Sequence, residues 1–273
     1  MNILEKIIAS KFKEVEERKS LFPVKLLEGT SHFTAPVVSM ETYIRRPDLS
    51  GIIAEIKRKS PSKGVINAHI SVEQVSLAYM AAGASALSVL TDKEYFGGSS
   101  ADLTTARKFN YCPILRKDFT VDEYQIIEAR SIGADAILLI AAALSPKRVK
   151  ELASFARSLG LEVLLELHDE SELGHITDEV NIVGINNRNL KTFDVSVQTS
   201  LDLLPHLPKE KTLISESGLS DPAAVMQLKD AGFNGFLIGE TFMKTGRPGA
   251  ACSEFIKSLK SSAYAKATAD KQV

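Results

Sequence analysis

Short apolar segments alternate with helix-like segments along most of the chain. Eight segments rich in Ile, Leu and Val are flanked by Gly, Pro, Asn or Asp, at 52–57, 86–92, 113–119, 136–144, 162–168, 181–189, 212–218 and 235–243. Between them, apolar residues recur every three or four positions, as at Leu152, Phe155, Ala156 and Leu159. Continuous apolar runs are typical of strands buried on both faces, and the intervening spacing is typical of helices. The pattern predicts a parallel sheet with right-handed helical crossovers.

The number of strand–helix units favours a closed barrel. Eight units match a (β/α)8 TIM barrel, and we predict this α/β fold as a single catalytic domain over residues 51–260. An open doubly wound sheet is the alternative, but its GxGxxG turn is missing, because the first strand runs into KRKSPSKG. Residues 1–50 are predicted to form a helical N-terminal extension packed on the barrel. The small and polar residues 261–273 are expected to form a frayed tail.

The start of the chain has the apolar spacing of an amphipathic helix, with apolar side chains at Ile3, Ile7, Ile8, Phe12 and Val15. A helix of this kind either lies on a membrane surface or packs on its own domain. Its polar face mixes both signs of charge, which favours packing. Charges interrupt the segment, so it does not resemble a secretory signal. The longest apolar run, 136–144, is about half of the roughly 18–20 residues that span a bilayer.

The charge balance provides no strong attraction to nucleic acid or to an anionic membrane. The chain carries 33 basic and 34 acidic side chains, for a formal net charge of -1. Cys112 and Cys252 form neither a CxxC pair nor a disulfide framework, which indicates no metal or redox motif and a reducing, cytoplasmic location. Cys112 is interpreted as core packing rather than as a nucleophile. We expect no nucleic-acid or membrane partner, and the sequence leaves the oligomeric state open.

Ionisable and polar side chains occur at the ends of the predicted strands, where an unpaired buried charge would cost several kcal/mol. In a barrel these carboxyl ends form the mouth that carries the active site. The residues are Glu55, Lys57, Lys117, Glu166, Asn186, Arg188, Glu216 and Ser217. Side chains alternate along a strand, so Glu55 and Lys57 share a face, as do Asn186 and Arg188. Salt bridges on the barrel rim are the alternative, but five of the eight strands end in this way, which favours a catalytic site.

Three other side chains near strand ends each have two interpretations. His168 follows Glu166 by two residues and is either a candidate base or an ordinary histidine. Phe96 and Phe119 are either core aromatics or the walls of a slot for an aromatic substrate.

Glycines after the last two strands indicate a phosphate site. Gly218 and Gly239 each open a turn that leads into a helix. A glycine lets backbone N–H groups approach an anion, and barrels often bind phosphate after strands seven and eight. The basic loop after the first strand offers Lys59 and Ser60 as further ligands. We therefore expect a phosphorylated small-molecule substrate.

Seven segments of this chain resemble the indole-3-glycerol-phosphate synthase family: IIAEIKRKSPSKG, LSVLTDKEYFGGS, PILRKDF, ELHDESEL, GINNRNLKTF, ISESG and LIGETFM. They occur in order and cover all predicted strands except the fourth. The resemblance implies a (β/α)8 lyase of tryptophan biosynthesis. Its substrate would be 1-(2-carboxyphenylamino)-1-deoxyribulose 5-phosphate, and its products indole-3-glycerol phosphate, carbon dioxide and water. It also implies that no metal or organic cofactor is used.

The resemblance assigns catalytic roles to five of these residues. Lys117 is implied to be the general acid that protonates the substrate ketone, and Glu166 the acid or base of the later dehydration. Lys57, paired with Glu55, is implied to lie near the substrate carboxylate and to share in proton transfer. Asn186 is implied to hydrogen-bond the reacting framework. Which lysine acts at which step is left open.

The resemblance also assigns binding roles. Arg188 and Glu216 are implied to support the reacting end of the substrate. Phosphate is implied to lie on Ser60, Ser217, Gly218, Gly239 and the backbone N–H of Glu240.

The predicted chemistry requires a lysine that gives up its proton near neutral pH. Cations that crowd a lysine lower its proton affinity, so we expect Lys57, Lys117 and Arg188 to reinforce one another as acids, with Glu55 and Glu166 limiting the shift. The loop after the first strand is expected to act as a lid.

Other functions on the same barrel stay open at this point. A phosphosugar isomerase, or an aldolase that forms an imine on Lys117 or Lys57, is the nearest enzymatic alternative. A non-catalytic barrel that binds a phosphorylated ligand is the alternative from another class. Every catalytic interpretation requires Lys57, Lys117 and Glu166 to gather at one end of the barrel.

Overall fold

Eight parallel strands close into a barrel in the computed structural model, which describes residues 2–190 and 192–269. The strands are β1 (Ile52–Ile56), β2 (Ala86–Leu90), β3 (Ile114–Lys117), β4 (Ala136–Ile140), β5 (Glu162–Leu167), β6 (Ile182–Asn186), β7 (Thr212–Glu216) and β8 (Gly235–Ile238). Neighbours in the chain are neighbours in the barrel, and Ile53 of β1 lies opposite both Ala86 of β2 and Leu237 of β8. The predicted TIM barrel is confirmed, and the open doubly wound sheet is wrong.

Alternation along each strand separates the barrel interior from the layer beneath the helices. In β1, Ile52, Ala54 and Ile56 belong to the large apolar cluster between strands and helices, whereas Ile53 packs inside the barrel. Glu55 follows Ile53 by two residues and therefore also faces the interior, where it lines a cavity. Burial of all five positions explains why this strand is a continuous apolar run with one charge near its end.

Helices cover the outside of the barrel: α4 (Val72–Ala81), α5 (Ser100–Phe109), α6 (Glu123–Ser131), α7 (Pro146–Ser158), α8 (Gln198–Leu203), α9 (Pro222–Ala231) and α10 (Glu240–Met243). Several begin at a Ser or Asp whose side chain accepts a hydrogen bond from a backbone N–H of the first turn. This N–H has no acceptor within the helix itself. After β5 a 3-10 helix, Glu170–His175, takes the place of an α-helix. After β1, two antiparallel strands of two residues each form a short hairpin, in which Lys59 pairs with Val65.

Three helices precede the barrel: α1 (Ile3–Leu21), α2 (Val24–Glu28) and α3 (Met40–Arg45). The predicted N-terminal helical extension is therefore present. Met40 and Ile44 of α3 pack with the interior side chains, and Ser39 and Glu41 bond to the first residue of β5, so α3 closes the amino-terminal end of the barrel.

The buried face of α1 differs from the predicted apolar face. Ile7, Lys11 and Val15 are buried, whereas Phe12 is 53% exposed. The buried positions are four residues apart and form one stripe, and Phe12 lies to one side of it. Lys11 takes a core position because its ammonium group lies 2.9 Å from a carboxylate oxygen of Asp92 and 2.9 Å from one of Asp118.

The last helix, α11 (Pro248–Ala269), passes through the expected start of the tail at residue 261. The sequence there is rich in alanine, which has the highest helix propensity, so the helix continues beyond the expected boundary. Residues 270–273 lie outside the described residues. Within the parts of the chain that the structure describes, no helix combines the length and the apolar character that crossing a membrane requires.

Candidate active site

The carboxyl ends of the strands surround a cavity of about 200 Å³. The structure brings together there most of the residues singled out in the sequence. Those that line the cavity are Glu55, Lys57, Ser60, Phe96, Lys117, Phe119, Glu166, Asn186, Arg188, Glu216, Ser217, Gly218, Gly239 and Glu240. Lys57, Lys117 and Glu166, which every catalytic interpretation needs at one end of the barrel, lie at the same end.

Lys117 lies between two buried carboxylates at the centre of this cavity. Its Nζ lies 2.8 Å from Oε2 of Glu166 and 3.6 Å from Oε2 of Glu216. The three side chains come from the ends of β3, β5 and β7. Gly184 of β6 pairs with Glu166 of β5 on one side and with Ile214 of β7 on the other. A Cβ at Gly184 would lie 2.3 Å from Oε1 of Glu216, so this glycine leaves room for the carboxylate.

Carboxylates rather than cations determine the protonation state of Lys117. Burial lowers the pKa of Lys117, but the charges of Glu166, Glu216 and Glu55 outweigh burial and hold it well above its ordinary value. The expectation that converging cations make this lysine more acidic is wrong, because the carboxylates are closer. Lys117 is a firmly protonated donor.

Glu166 and Glu216 have opposite proton affinities although they share Lys117. Burial and the charges of Glu166 and Glu55 raise the pKa of Glu216 to about 8, even though Lys117 acts in the opposite direction. For Glu166, burial raises the pKa, but Lys117 and His168 lower it more and hold it well below its usual range. Two neighbouring carboxyl groups with such different affinities form a natural acid and base pair.

A second ion pair lies beside the first. Lys57 follows β1, and its Nζ lies 2.5 Å from Oε1 of Glu55. A Cβ at Gly239 would lie 2.4 Å from the same oxygen, so glycine at the end of β8 allows the Glu55 side chain to adopt this position. The pair places one cation at the cavity wall, separate from Lys117.

Asn186 connects Glu166 to the loop after β6. Its Nδ2 donates to Oε1 of Glu166 at 3.2 Å, and its Oδ1 accepts the backbone N–H of Arg188 at 3.0 Å. The guanidinium group of Arg188 donates to the carbonyl oxygen of Phe193 at 3.2 Å and lies 4.0 Å from a carboxylate oxygen of Glu240. Arg188 therefore lies at the rim, where its charge faces the cavity.

Two aromatic rings form one wall of the cavity. The ring centroids of Phe96 and Phe119 lie 5.9 Å apart at an angle of 39°. Helix α1 adds Ile3, Leu4 and Ile7 to the cavity lining, which sequence reasoning did not predict. The apolar spacing of α1 indicated that it packs on the barrel, but nothing in that spacing indicated packing over the mouth.

The turns after β7 and β8 contact each other and both line the cavity. Ser217 and Gly218 have φ values of 67° and 74°, in the left-handed region. A serine rarely adopts this conformation, and such strain commonly marks a functional turn. Ser60 reaches the cavity beside them.

Lys59 does not belong to this site. Its ammonium group donates to the carbonyl oxygen of Glu94, away from the cavity that its neighbour Ser60 lines. Adjacent residues of an extended segment point to opposite sides, so Ser60 and Lys59 cannot both face the cavity. The predicted phosphate-binding role of Lys59 is therefore not supported by its position.

Neither His168 nor the cysteines offer a free base or nucleophile. Although burial lowers the pKa of His168, the close carboxylates of Glu166 and Glu172 raise it to about 10, so the ring is a cation at neutral pH. Burial raises the thiol pKa of Cys112 and of Cys252 to about 12 each. Cys112 is a buried member of the core cluster, as the sequence indicated.

The fold is similar to that of a solved structure of low sequence identity. A chain of the tryptophan synthase a2b2 complex from the hyperthermophile Pyrococcus furiosus superposes with a TM-score of 0.58. The match covers 78% of this chain and 99% of that one, at 17% identity. At this identity the similarity shows the barrel fold alone.

Sequence comparisons identify the family as well as the fold. The family model of indole-3-glycerol phosphate synthase matches residues 4–255. An indole-3-glycerol phosphate synthase of Bacteroides thetaiotaomicron is 50% identical over 94% of this chain and 99% of its own length. One of Laribacter hongkongensis is 44% identical over 92% of this chain and 97% of its own. The chain belongs to the indole-3-glycerol phosphate synthase family.

Proposed function

We propose that this chain converts 1-(2-carboxyphenylamino)-1-deoxyribulose 5-phosphate to indole-3-glycerol phosphate in tryptophan biosynthesis, by lysine and glutamate acid–base catalysis. Family membership supports this carboxy-lyase activity. The observation that carries the proposed mechanism is the protonated Lys117 held between Glu166 and Glu216 in the cavity. We also propose a cytoplasmic location, where buried free thiols such as those of Cys112 and Cys252 stay reduced.

Ring closure is the first step of the proposed mechanism. The substrate ring lies against Phe96 and Phe119, and its carboxylate-bearing carbon attacks the ketone carbon. Lys117 donates its proton to the ketone oxygen as the carbon–carbon bond forms, so no free alkoxide develops. The high pKa of Lys117 in the free protein falls when the substrate separates it from the carboxylates, because their charges are what raise it.

Decarboxylation and dehydration complete the reaction. The carbon–carboxylate bond breaks, carbon dioxide leaves, and its bonding electrons restore the aromatic ring. Glu166 then removes a proton from the carbon between the ring nitrogen and the hydroxyl-bearing carbon. The hydroxyl group leaves as water with a proton from Lys57, the lysine that is still charged after Lys117 has donated. Asn186 holds Glu166 in place through the 3.2 Å contact between its Nδ2 and Oε1.

The phosphate group is proposed to bind at the turns after β7 and β8. Backbone N–H groups of Gly218, Gly239 and Glu240, with the hydroxyl groups of Ser60 and Ser217, would surround it. This anchor is remote from the bonds that change. Its binding energy therefore positions the reacting end of the substrate.

Fluorescence provides a direct test, because the chain contains no tryptophan and six tyrosines. The indole ring of the product should appear as new emission when the carboxyphenylamino substrate is added. Lys117→Ala should lower turnover at least about 100-fold, the loss expected for a general acid. Lys108→Ala, at an exposed lysine of α5, should leave turnover unchanged. No indole emission from the unaltered protein would overturn the function.

The same assay separates an imine-forming aldolase from the proposed lyase. An imine requires a neutral, nucleophilic amine, whereas the neighbouring carboxylates keep Lys117 protonated. Borohydride added during turnover should therefore trap no substrate on the protein. A stable adduct on Lys57 or Lys117, detected by mass spectrometry, would overturn the acid–base assignment.

A further inference from the structure

His168 contacts Glu166 but does not line the main cavity. Its side chain is 8% exposed, and its Nε2 lies 3.3 Å from Oε1 of Glu166. The ring lines a second, polar hollow rather than the main cavity. A substrate in the main cavity therefore meets Glu166 but not His168, and any influence of the ring on the chemistry passes through that carboxylate.

Glu172 holds the ring from the other side. Its Oε2 lies 3.4 Å from Nδ1 of His168 and accepts the backbone N–H of the same residue at 2.6 Å. Glu172 belongs to the 3-10 helix after β5, which begins where Asp169 accepts the N–H of Ser171. This tight turn brings Glu172 back over His168, so the ring is enclosed by two carboxylates.

The contacts of the ring are ionic rather than aligned hydrogen bonds. Among the described residues, neither ring nitrogen has a hydrogen-bond partner of good geometry, although each lies within 3.4 Å of a carboxylate oxygen. The charged groups around Glu166 are Lys117 from β3, Glu216 from β7 and His168 itself. Arg188 and Asp169 line the second hollow. Glu166 therefore has a cation on each side.

We infer that, within the proposed function, His168 is a positioning residue: clamped by Glu172, its imidazolium ring keeps Glu166 ionised and oriented after Lys117 has donated its proton. Once Lys117 is neutral, Glu166 has lost its nearest counter-ion at the stage when it must still act as a base. The imidazolium ring is then the cation that remains in contact with it. Because the ring does not reach the main cavity, it stays in place when substrate binds.

His168→Gln tests this role, because glutamine keeps a polar side chain of similar length without the charge. We expect kcat to fall about 10- to 100-fold, as for a misplaced catalytic group, with KM changed less than about twofold. The acid limb of the kcat pH profile, which reports the substrate-bound enzyme, should move to higher pH, because removing a cation raises the pKa of the neighbouring carboxyl group. Glu172→Gln should shift the same limb in the same direction by a smaller amount.

His175→Gln is the matched control. His175 lies in the same 3-10 helix, and its ring contacts the backbone carbonyl oxygens of Glu172 and Leu144. A merely structural effect on this segment would appear in both histidine variants, whereas positioning of Glu166 predicts a displaced acid limb for His168→Gln alone. An unchanged kcat and acid limb in His168→Gln, with an active unaltered protein, would overturn the inference and leave the proposed function intact.

A pH titration followed by nuclear magnetic resonance tests the contact between Glu172 and the His168 ring without measuring activity. His168 should stay protonated well above the ordinary histidine value of 6.5, and Glu172→Gln should lower the pH at which it titrates. Titration of His168 near the ordinary value of 6.5 would overturn the clamp even if the protein proved inactive. Unfolding curves of each variant show whether it is folded before its kinetics are compared.

Discussion

Two lysines at the mouth of the barrel are each surrounded by carboxylates, but the hydrogen bonding of those carboxylates differs. Lys11 of α1 pairs with Asp92 and Asp118, and its side chain is 1% exposed. Lys117, the residue before Asp118, pairs with Glu166 and Glu216 and is 14% exposed. The pKa of each lysine is raised by its carboxylates against the opposing effect of burial.

Glu14 also contacts Lys11 but is partly exposed, whereas the two buried aspartates are fully hydrogen-bonded. Asp92 Oδ1 accepts the backbone N–H of Phe96, and Asp118 Oδ1 accepts that of Phe119. Asp118 Oδ2 accepts the hydroxyl of Thr91 at 2.5 Å. Each carboxylate oxygen of the two aspartates thus has a donor. The same aspartates hold α1 and the backbone of both cavity phenylalanines, so this cluster positions the aromatic wall.

The carboxylates around Lys117 are not fully occupied. Oε1 of Glu216 is buried without a hydrogen-bond partner among the described residues, and the pKa of Glu216 is raised to about 8. This cluster therefore holds an acid and a base that are poised to exchange protons, and it opens into the cavity. A buried ion cluster whose groups are all hydrogen-bonded fixes structure, whereas a buried carboxyl group without a hydrogen-bond partner is available for chemistry.

The largest expected change is in the free energy of unfolding when Lys11 or Lys117 is replaced. Lys11→Met should lower the free energy of unfolding by about 3–5 kcal/mol, because it removes the ammonium group 2.9 Å from the buried carboxylate of Asp92 and leaves Asp118 with Arg116 alone. Lys117→Met should cost roughly half as much or less, because Glu216 is already largely protonated at neutral pH and Glu166 keeps His168 beside it. Denaturant unfolding at neutral pH measures both, with Lys13→Met on the exposed face of α1 as the control. Equal losses for the two lysines would contradict the comparison.

The two clusters should also respond to pH in opposite ways. The pKa of Glu216 is about 8 in the folded protein against an ordinary value of 4.5, so its carboxyl group lowers stability as the pH rises from 4.5 through 8. Glu216→Gln should abolish this decline. The pKa of Asp118 is lowered to about 2 from 3.8, so the stability it contributes is present above 3.8 and is lost as the pH falls to 2.

Unfolding free energies measured in steps of pH test both statements. Asp118→Asn should differ most from the unaltered protein above pH 3.8, and the difference should shrink in acid. Glu254→Gln, at an exposed glutamate of α11, should follow the unaltered protein throughout. A Glu216→Gln variant whose pH dependence matches that of the unaltered protein would show that Glu216 titrates normally.

The smallest effect should come from a lysine that lies near the mouth but outside both clusters. Lys59 donates to a backbone carbonyl oxygen and does not line the cavity, so Lys59→Ala should change KM less than about twofold. Ser60→Ala should raise KM about 2- to 10-fold, the value of one hydrogen bond to the proposed phosphate. Substrate titration in the fluorescence assay compares the two, and a larger effect at Lys59 would restore it as a ligand.

Much of the fold and of the site lining follows from local patterns in the sequence. Strand β1 reads as a buried strand because each of its five positions is covered, and strand alternation turns Glu55 toward the interior with Ile53. The same period of two separates Ser60 from Lys59, although the basic residue was expected to bind phosphate too. The helical spacing of α1 predicted a packed helix, but it assigned Phe12 rather than Lys11 to the buried face.

The barrel, the end at which its charged side chains collect and the resemblance to one enzyme family follow from local patterns, because they depend on spacing along the chain. Contacts in the folded protein, by contrast, place α1 over the mouth, bury Lys11 and keep Lys117 protonated. Those properties depend on groups far apart in sequence, such as Lys11 with Asp92 or Lys117 with Glu216. Charge and burial act through distances in space, and spacing along the chain does not report those distances.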